Sequence, residues 1–240
     1  MNGPSKSNGA HRATAVGSAM FEGFCRTFFT VYCSLTVEGR HHLPDGPFLL
    51  CSNHSSHADS AALMTASGRS FRHLALLGAS DYFFEPKRVR WVVLPLMNVI
   101  PIERRPAPHA LSECLAKCRR FLEQTGGGLI LYPEGTRSPN GEMRPFKSGA
   151  GLFFSELGVP LVPAYVIGTH RVLPKGNSVP RPGHVTVRIG EPLRTPALPD
   201  GKEAIRQWRH AVVEELAERI RVLSLGTQDQ ELLAGVREKG

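Results

Sequence analysis

Short, wholly apolar runs separated by helix-like segments set the limits on how this chain folds. Phe48-Leu49-Leu50-Cys51 is apolar at every position, the pattern of a strand buried on both faces. Comparable runs recur at His73–Leu77, Val99–Ile102, Gly128–Tyr132 and Leu161–Ile167, the last carrying Pro163. Val185-Thr186-Val187-Arg188-Ile189 alternates, which predicts an edge strand. Between these runs lie helical spacings. Asp59–Ala66 is rich in Ala and Leu, and Pro108–Gln124 repeats Leu111, Leu115, Cys118 and Leu122 before Gly126-Gly127-Gly128 closes it. Gly149–Leu157 is a shorter candidate, and Lys202–Leu223 lines up Ile205, Trp208, Val212, Leu216 and Ile220. Strands interleaved with helices predict an α/β fold: a mixed, partly parallel central sheet flanked by helices. No internal repeat divides the chain. Residues 19–225 read as one domain, 1–18 as a disordered tail and 226–240 as a flexible C-terminal tail.

The N-terminal part of that domain repeats Phe21, Phe24, Phe28, Phe29, Tyr32 and Leu35 at helical spacing. This predicts an amphipathic helical element. Its aromatic face either packs into the core or lies on a bilayer beside an acyl groove, and spacing leaves both open.

Charge narrows the partners. The formal net charge is +8 and the isoelectric point about 9.6, which favours anions: nucleic acid, an anionic membrane face, or phosphorylated and CoA-type substrates. No nucleic-acid motif accompanies the charge, so no nucleic-acid partner is expected. Five cysteines without a C-x-x-C pair give no disulfide framework and suggest buried thiols in a reducing compartment. The first residues lack a signal peptide's apolar run, and no stretch approaches the ~20 apolar residues of a span. Any membrane contact is expected to be peripheral, at the cytoplasmic face.

Two segments carry chemistry. Asn53-His54-Ser55-Ser56-His57-Ala58-Asp59 follows the first buried strand and holds a histidine with a carboxylate five residues later. On one continuous helix that spacing turns through ~500° and leaves the side chains ~140° apart. The pair meets only if His54 sits in the loop leaving the strand and Asp59 opens the following helix. In that geometry Asp59 can accept from one ring nitrogen and leave the other as a base, while a helix-capping loop with an incidental histidine fits the same residues, and spacing leaves both open. His57 makes the spacing H-x-x-H-x-D, but no second ligand cluster follows, so no metal is expected. Tyr132-Pro133-Glu134-Gly135-Thr136-Arg137-Ser138 closes another apolar run, with a glycine that lets backbone approach a ligand and a guanidinium suited to phosphate. Arg104 and Arg105 emerge from a third run, beside Glu103.

These segments resemble the blocks of the glycerolipid acyltransferase family, typified by 1-acylglycerol-3-phosphate acyltransferase. Asn53-His54 through Asp59 matches its N-H-x-x-x-x-D block, and Val99-Ile100-Pro101-Ile102-Glu103-Arg104 resembles its second. Tyr132 through Ser138 resembles the third, usually written with Phe where Tyr132 stands, and Val162-Pro163-Ala164 the fourth. All four occur in the family's order.

The resemblance implies His54 as general base and Asp59 as its orienting partner. It implies an acceptor-phosphate site from Arg104, Glu134, Gly135 and Arg137, with Thr136 in the same substrate-binding turn. Glu134 would position Arg137 or the acceptor hydroxyls, and Pro163 would help shape an acyl channel. The implied reaction moves a fatty acyl group from a thioester, acyl-CoA or acyl carrier protein, to a lysophospholipid hydroxyl. The implied acceptor is 1-acylglycerol-3-phosphate, giving phosphatidic acid, on a peripheral membrane surface and without a cofactor. Alternatives are another acceptor, such as glycerol-3-phosphate or a lyso-aminolipid, and a non-catalytic lipid-binding protein.

Overall fold

The structure, a computed structural model, describes residues 7–79, 96–103, 106–174, 177, 179–194 and 197–226. Among them seven strands share one sheet: β1 Thr36–Glu38, β2 Phe48–Ser52, β3 Leu74–Ala79, β4 Val99–Ile102, β5 Gly128–Leu131, β6 Leu161–Ile167 and β7 Thr186–Ile189. Their order is β1-β7-β6-β2-β5-β3-β4. The β6–β7 pair is antiparallel and the other pairs are parallel. The helices are α1 Ser7–Thr27, α2 Asp59–Ala66, α3 Pro108–Thr125, α4 Gly149–Leu157, α5 Thr169–Val172 and α6 Lys202–Ser224.

Alternation along the strands sends side chains into two cores. Phe48 and Leu50 join Leu74, Ile130 and Val162 on the face covered by Phe29, Leu63 and Phe71. Leu49 and Cys51 join Ala75, Leu129 and Leu161 on the face covered by Leu115, Phe153 and Leu216. The result is three layers, with α1 and α2 on one side and α3, α4 and α6 on the other. No residue of Phe48–Cys51 is more than 1% exposed, and each such large side chain contributes about 1.5–3 kcal/mol on burial. All five cysteines are free and buried. Burial pushes the Cys25 thiol up to about 12, which leaves it unreactive.

Two strand assignments depart from the sequence reading, and the first helix sets the N-terminal bound of the described residues, with helical backbone beginning at Ser7. Ala10, Ala13, Ala15 and Ala19 supply helix propensity there, and the Ser18 hydroxyl donates to Leu96 O at 2.9 Å. The alternating strand at Thr186–Ile189 is not an edge, because β1 pairs along its outer side with Thr36 opposite Thr186. The strand of the third block ends at Leu131, so Tyr132 already belongs to the turn.

The Phe-rich segment faces two ways. After Thr27 it widens into a π-helical turn, Phe28–Tyr32, with Cys33 N–H donating to Phe28 O five residues back. Cys25, Phe29 and Cys33 are buried, whereas Phe24 is 64% and Val31 77% exposed. Glu22 pins α1 to the loop before β3, accepting from Ser70 Oγ and Phe71 N–H, both at 2.9 Å, and from Arg26. Burial acts to raise its carboxyl, but those bonds outweigh it and hold the group below the usual range. No helix among the described residues is long and apolar enough to cross a membrane.

Candidate active site

The site lies beyond the carboxyl ends of three neighbouring strands, β6, β2 and β5, where open α/β sheets place their ligands. Asn53 sets the geometry at the end of β2. Its buried amide donates from Nδ2 to Val166 O at 3.0 Å and accepts Val166 N–H on Oδ1 at 2.8 Å. The side chain thus imitates one further residue of strand pairing with β6 while the backbone turns away into the loop. Losing both bonds would leave two buried backbone groups unmet, at about 1–3 kcal/mol each.

The loop carries His54, and Asp59 is the first residue of α2. Their side chains meet across the bend, with His54 Nδ1 at 2.8 Å from Asp59 Oδ2. Asp59 is fully buried. Its Oδ2 also accepts Ser55 N–H at 2.7 Å and Ser56 N–H at 2.8 Å, and its Oδ1 accepts the Thr169 hydroxyl at 2.5 Å. Asp59 acts as acceptor in all four bonds. His54 Nδ1 therefore carries the proton that it donates, which leaves Nε2 as the basic nitrogen. The imidazole side chain is 17% exposed. One face stacks on Tyr132, ring centroids 3.8 Å apart at 12°. The Tyr132 hydroxyl lies 2.8 Å from Ser60 Oγ on α2, a bond that phenylalanine at this position would lack. Removal from water holds the phenol well above its usual range, and the Asp59 charge adds to the effect.

The turn after β5 packs directly on this loop. Glu134 is 2% exposed. One carboxylate oxygen accepts His54 N–H at 2.8 Å and the other Arg144 N–H at 3.2 Å. Ser138 N–H donates to His54 O at 2.7 Å, so the 134–138 turn grips the backbone of the histidine from both sides. Sequence reasoning missed this tie, because nothing local marks a contact between residues 80 apart. Gly135 adopts a φ of 68°, and a Cβ there would stand 2.8 Å from Lys147 Nζ. Glycine thus lets the lysine ammonium lie over the turn. Thr136 and Arg137 are half-buried beside it. Arg104 lies outside the described residues. Pro163 sits within β6 opposite Cys51. His57 is exposed, and among the described residues no three His, Cys, Asp or Glu side chains gather as a metal-holding group.

Glu134 links the site to pH. Burial raises its carboxyl to about 7, against the pull of the His54 and Arg144 N–H bonds. Between the ordinary glutamate value near 4.5 and that raised value, the unfolded chain has released the proton while the folded chain still holds it. Folding stability should therefore fall as pH rises across this window and level off above it. Urea unfolding of wild type and Glu134→Gln at several pH values checks this. The wild type should lose ground to the variant between pH ~5 and ~7, and a pH-independent difference would contradict the burial argument.

The chain resembles proteins already known. The family profile described as Acyltransferase matches residues 34–167. A chloroplastic 1-acyl-sn-glycerol-3-phosphate acyltransferase of Brassica napus is 32% identical over 160 residues, covering 65% of this chain and 44% of that protein. The human 1-acyl-sn-glycerol-3-phosphate acyltransferase alpha is 30% identical over 185 residues, covering 74% of this chain and 62% of that one. The chain thus spans less than half the length of the Brassica protein. The crystal structure of the 1-acyl-sn-glycerophosphate acyltransferase PlsC from Thermotoga maritima superposes with a TM-score of 0.61 at 28% identity, covering 87% of this chain and 82% of that one. The profile match takes in more than half of the chain and holds both the His54 loop and the Arg137 turn, and the chain belongs to the Acyltransferase family.

Proposed function

We propose that this protein transfers a fatty acyl group from a thioester donor to a hydroxyl of a lysophospholipid, with 1-acylglycerol-3-phosphate as acceptor and phosphatidic acid as product. The observation that carries the reading is the His54–Asp59 pair, 2.8 Å apart and held beside the 134–138 turn. His54 Nε2 takes the acceptor's hydroxyl proton as that oxygen attacks the thioester carbonyl. The carbon–sulfur bond breaks, the thiolate leaves, and the imidazolium returns the proton to it. No acyl-enzyme forms and no cofactor is required. Asp59 steadies the imidazolium, while Arg137 and Lys147 offer positive charge to the acceptor's phosphate.

Mass-spectrometric product analysis with a panel of lyso-lipids, each offered with acyl-CoA and with acyl carrier protein, tests the assignment. Phosphatidic acid formed from 1-acylglycerol-3-phosphate is expected. Equal rates with phosphate-free acceptors would overturn the acceptor, and binding of lyso-lipid without consumption of either thioester would overturn the activity.

The same reading has the protein dock peripherally on a membrane through α1. Val16, Met20 and Phe24 follow one another every four residues, and Val31 and Tyr32 continue the exposed apolar strip within the π-helical turn. Phe24→Glu should weaken co-sedimentation with anionic vesicles by roughly tenfold or more, given the apolar area withdrawn. Unchanged sedimentation would place docking elsewhere.

A further inference from the structure

We infer that Thr169 is a positioning residue for the general base, one of the four members of a hydrogen-bond chain that runs Ser55, Thr169, Asp59, His54. The inference rests on the acyl-transfer reading above. Thr169 is fully buried at the start of α5. Its hydroxyl donates to Asp59 Oδ1 at 2.5 Å and lies 3.4 Å from Ser55 Oγ. A hydroxyl that donates to a carboxylate at this distance is a strong, charge-assisted bond.

The placement of this bond gives it a role distinct from those of its neighbours. His54 Nδ1, Ser55 N–H and Ser56 N–H all converge on Oδ2. Donors gathered on one oxygen constrain rotation about the aspartate Cβ–Cγ bond poorly, and that torsion has a broad minimum. A donor on the opposite oxygen fixes the carboxylate plane. The plane of Asp59 in turn fixes where the imidazole points and therefore where Nε2 meets the acceptor hydroxyl. Misplacement of a reacting group by about 1 Å costs on the order of a hundredfold in rate.

The backbone is shaped to deliver this hydroxyl. Gly168 leaves β6 with a φ of 91°, and a Cβ there would stand 2.1 Å from His184 O. No other residue fits without moving β7's approach, so the turn aims position 169 inward at Asp59. The two ends of the contact are 110 residues apart in the chain.

Thr169→Val keeps the shape and removes the hydroxyl. Thr169→Ser keeps the hydroxyl and removes a methyl. The valine variant should lose tenfold to a hundredfold in kcat with KM for both substrates within about twofold of wild type, and the serine variant should recover kcat to within about threefold. The downfield proton resonance of His54 Nδ1–H should shift or broaden in the valine variant and return in the serine variant. Should Thr169→Val not fold, Thr169→Ala against Thr169→Ser makes the same comparison with the methyl absent from both. Equal activity of the hydroxyl-bearing and hydroxyl-free variants, or a loss confined to KM, would overturn the role. A wild-type protein that transfers no acyl group would sink the reaction assignment alone, since the resonance comparison still decides whether Thr169 positions Asp59 and His54.

Discussion

Alanine at position 54 should lower turnover by about 10²- to 10⁴-fold with little change in KM for the thioester, the range expected when a positioned base is deleted. The loss follows from one atom, Nε2, because Nδ1 already donates to Asp59. The fold should survive. The imidazole is partly exposed, and Asp59 keeps the Ser55, Ser56 and Thr169 donors when it is gone. The 134–138 turn is untouched, since Glu134 and Ser138 bind the backbone of residue 54 rather than its ring. Residual activity would report what positioning and the phosphate site supply by themselves. Steady-state kinetics on purified protein, with circular dichroism to verify folding, is the measurement, and full retention of thioester-dependent acylation would remove His54 from the mechanism.

Asp59→Asn should be nearly as damaging to turnover, and Asp59→Ala should also damage the fold. An asparagine can set its oxygen in the place of Oδ2, facing the Ser55 and Ser56 N–H groups, and turn its NH₂ toward Thr169, whose hydroxyl then accepts. The loop is preserved, but the neutral amide no longer steadies the imidazolium, and a loss on the order of 10²- to 10⁴-fold in kcat follows. Alanine satisfies none of the donors that the fully buried carboxylate now accepts. Leaving them unmet should cost about 3–5 kcal/mol. Chemical unfolding of the two variants beside kinetics separates the effects. An asparagine variant with wild-type turnover would mean that charge at position 59 is irrelevant to the chemistry.

The α/β architecture was legible because the central strands are apolar on both faces, so β2, β5 and β6 stand out as short runs between helical spacings. β1 was not, since Thr36–Glu38 has three residues of which two are exposed. Without it β7 reads as an edge, because its partly exposed Arg188 produces the alternation of an outer strand. In the site, the five-residue spacing from His54 to Asp59 implied a bend, and the structure has that bend. What the sequence hid were the supports. Asn53 looks like an ordinary loop residue until Val166 is beside it. The family resemblance implies that Glu134 positions Arg137 or the acceptor hydroxyls, and nothing local in the chain marks the His54 and Arg144 N–H groups that its carboxylate holds. Thr169 sits in a four-residue helix with no periodicity to mark it. Each of these depends on strands adjacent in the sheet and distant along the chain, which local patterns do not encode.

The ties of Asn53 to Val166, His54 to Glu134 and Asp59 to Thr169 bridge 113, 80 and 110 residues. Contacts of such high order form late, after the entropy of closing long loops has been overcome. A nascent polypeptide that has emerged only as far as β5 holds the histidine, yet has neither Val166 nor Thr169 to orient it. On the proposed mechanism, the imidazole that takes the acceptor's hydroxyl proton is therefore aligned only once the β2–β6 seam and the Thr169 turn are in place.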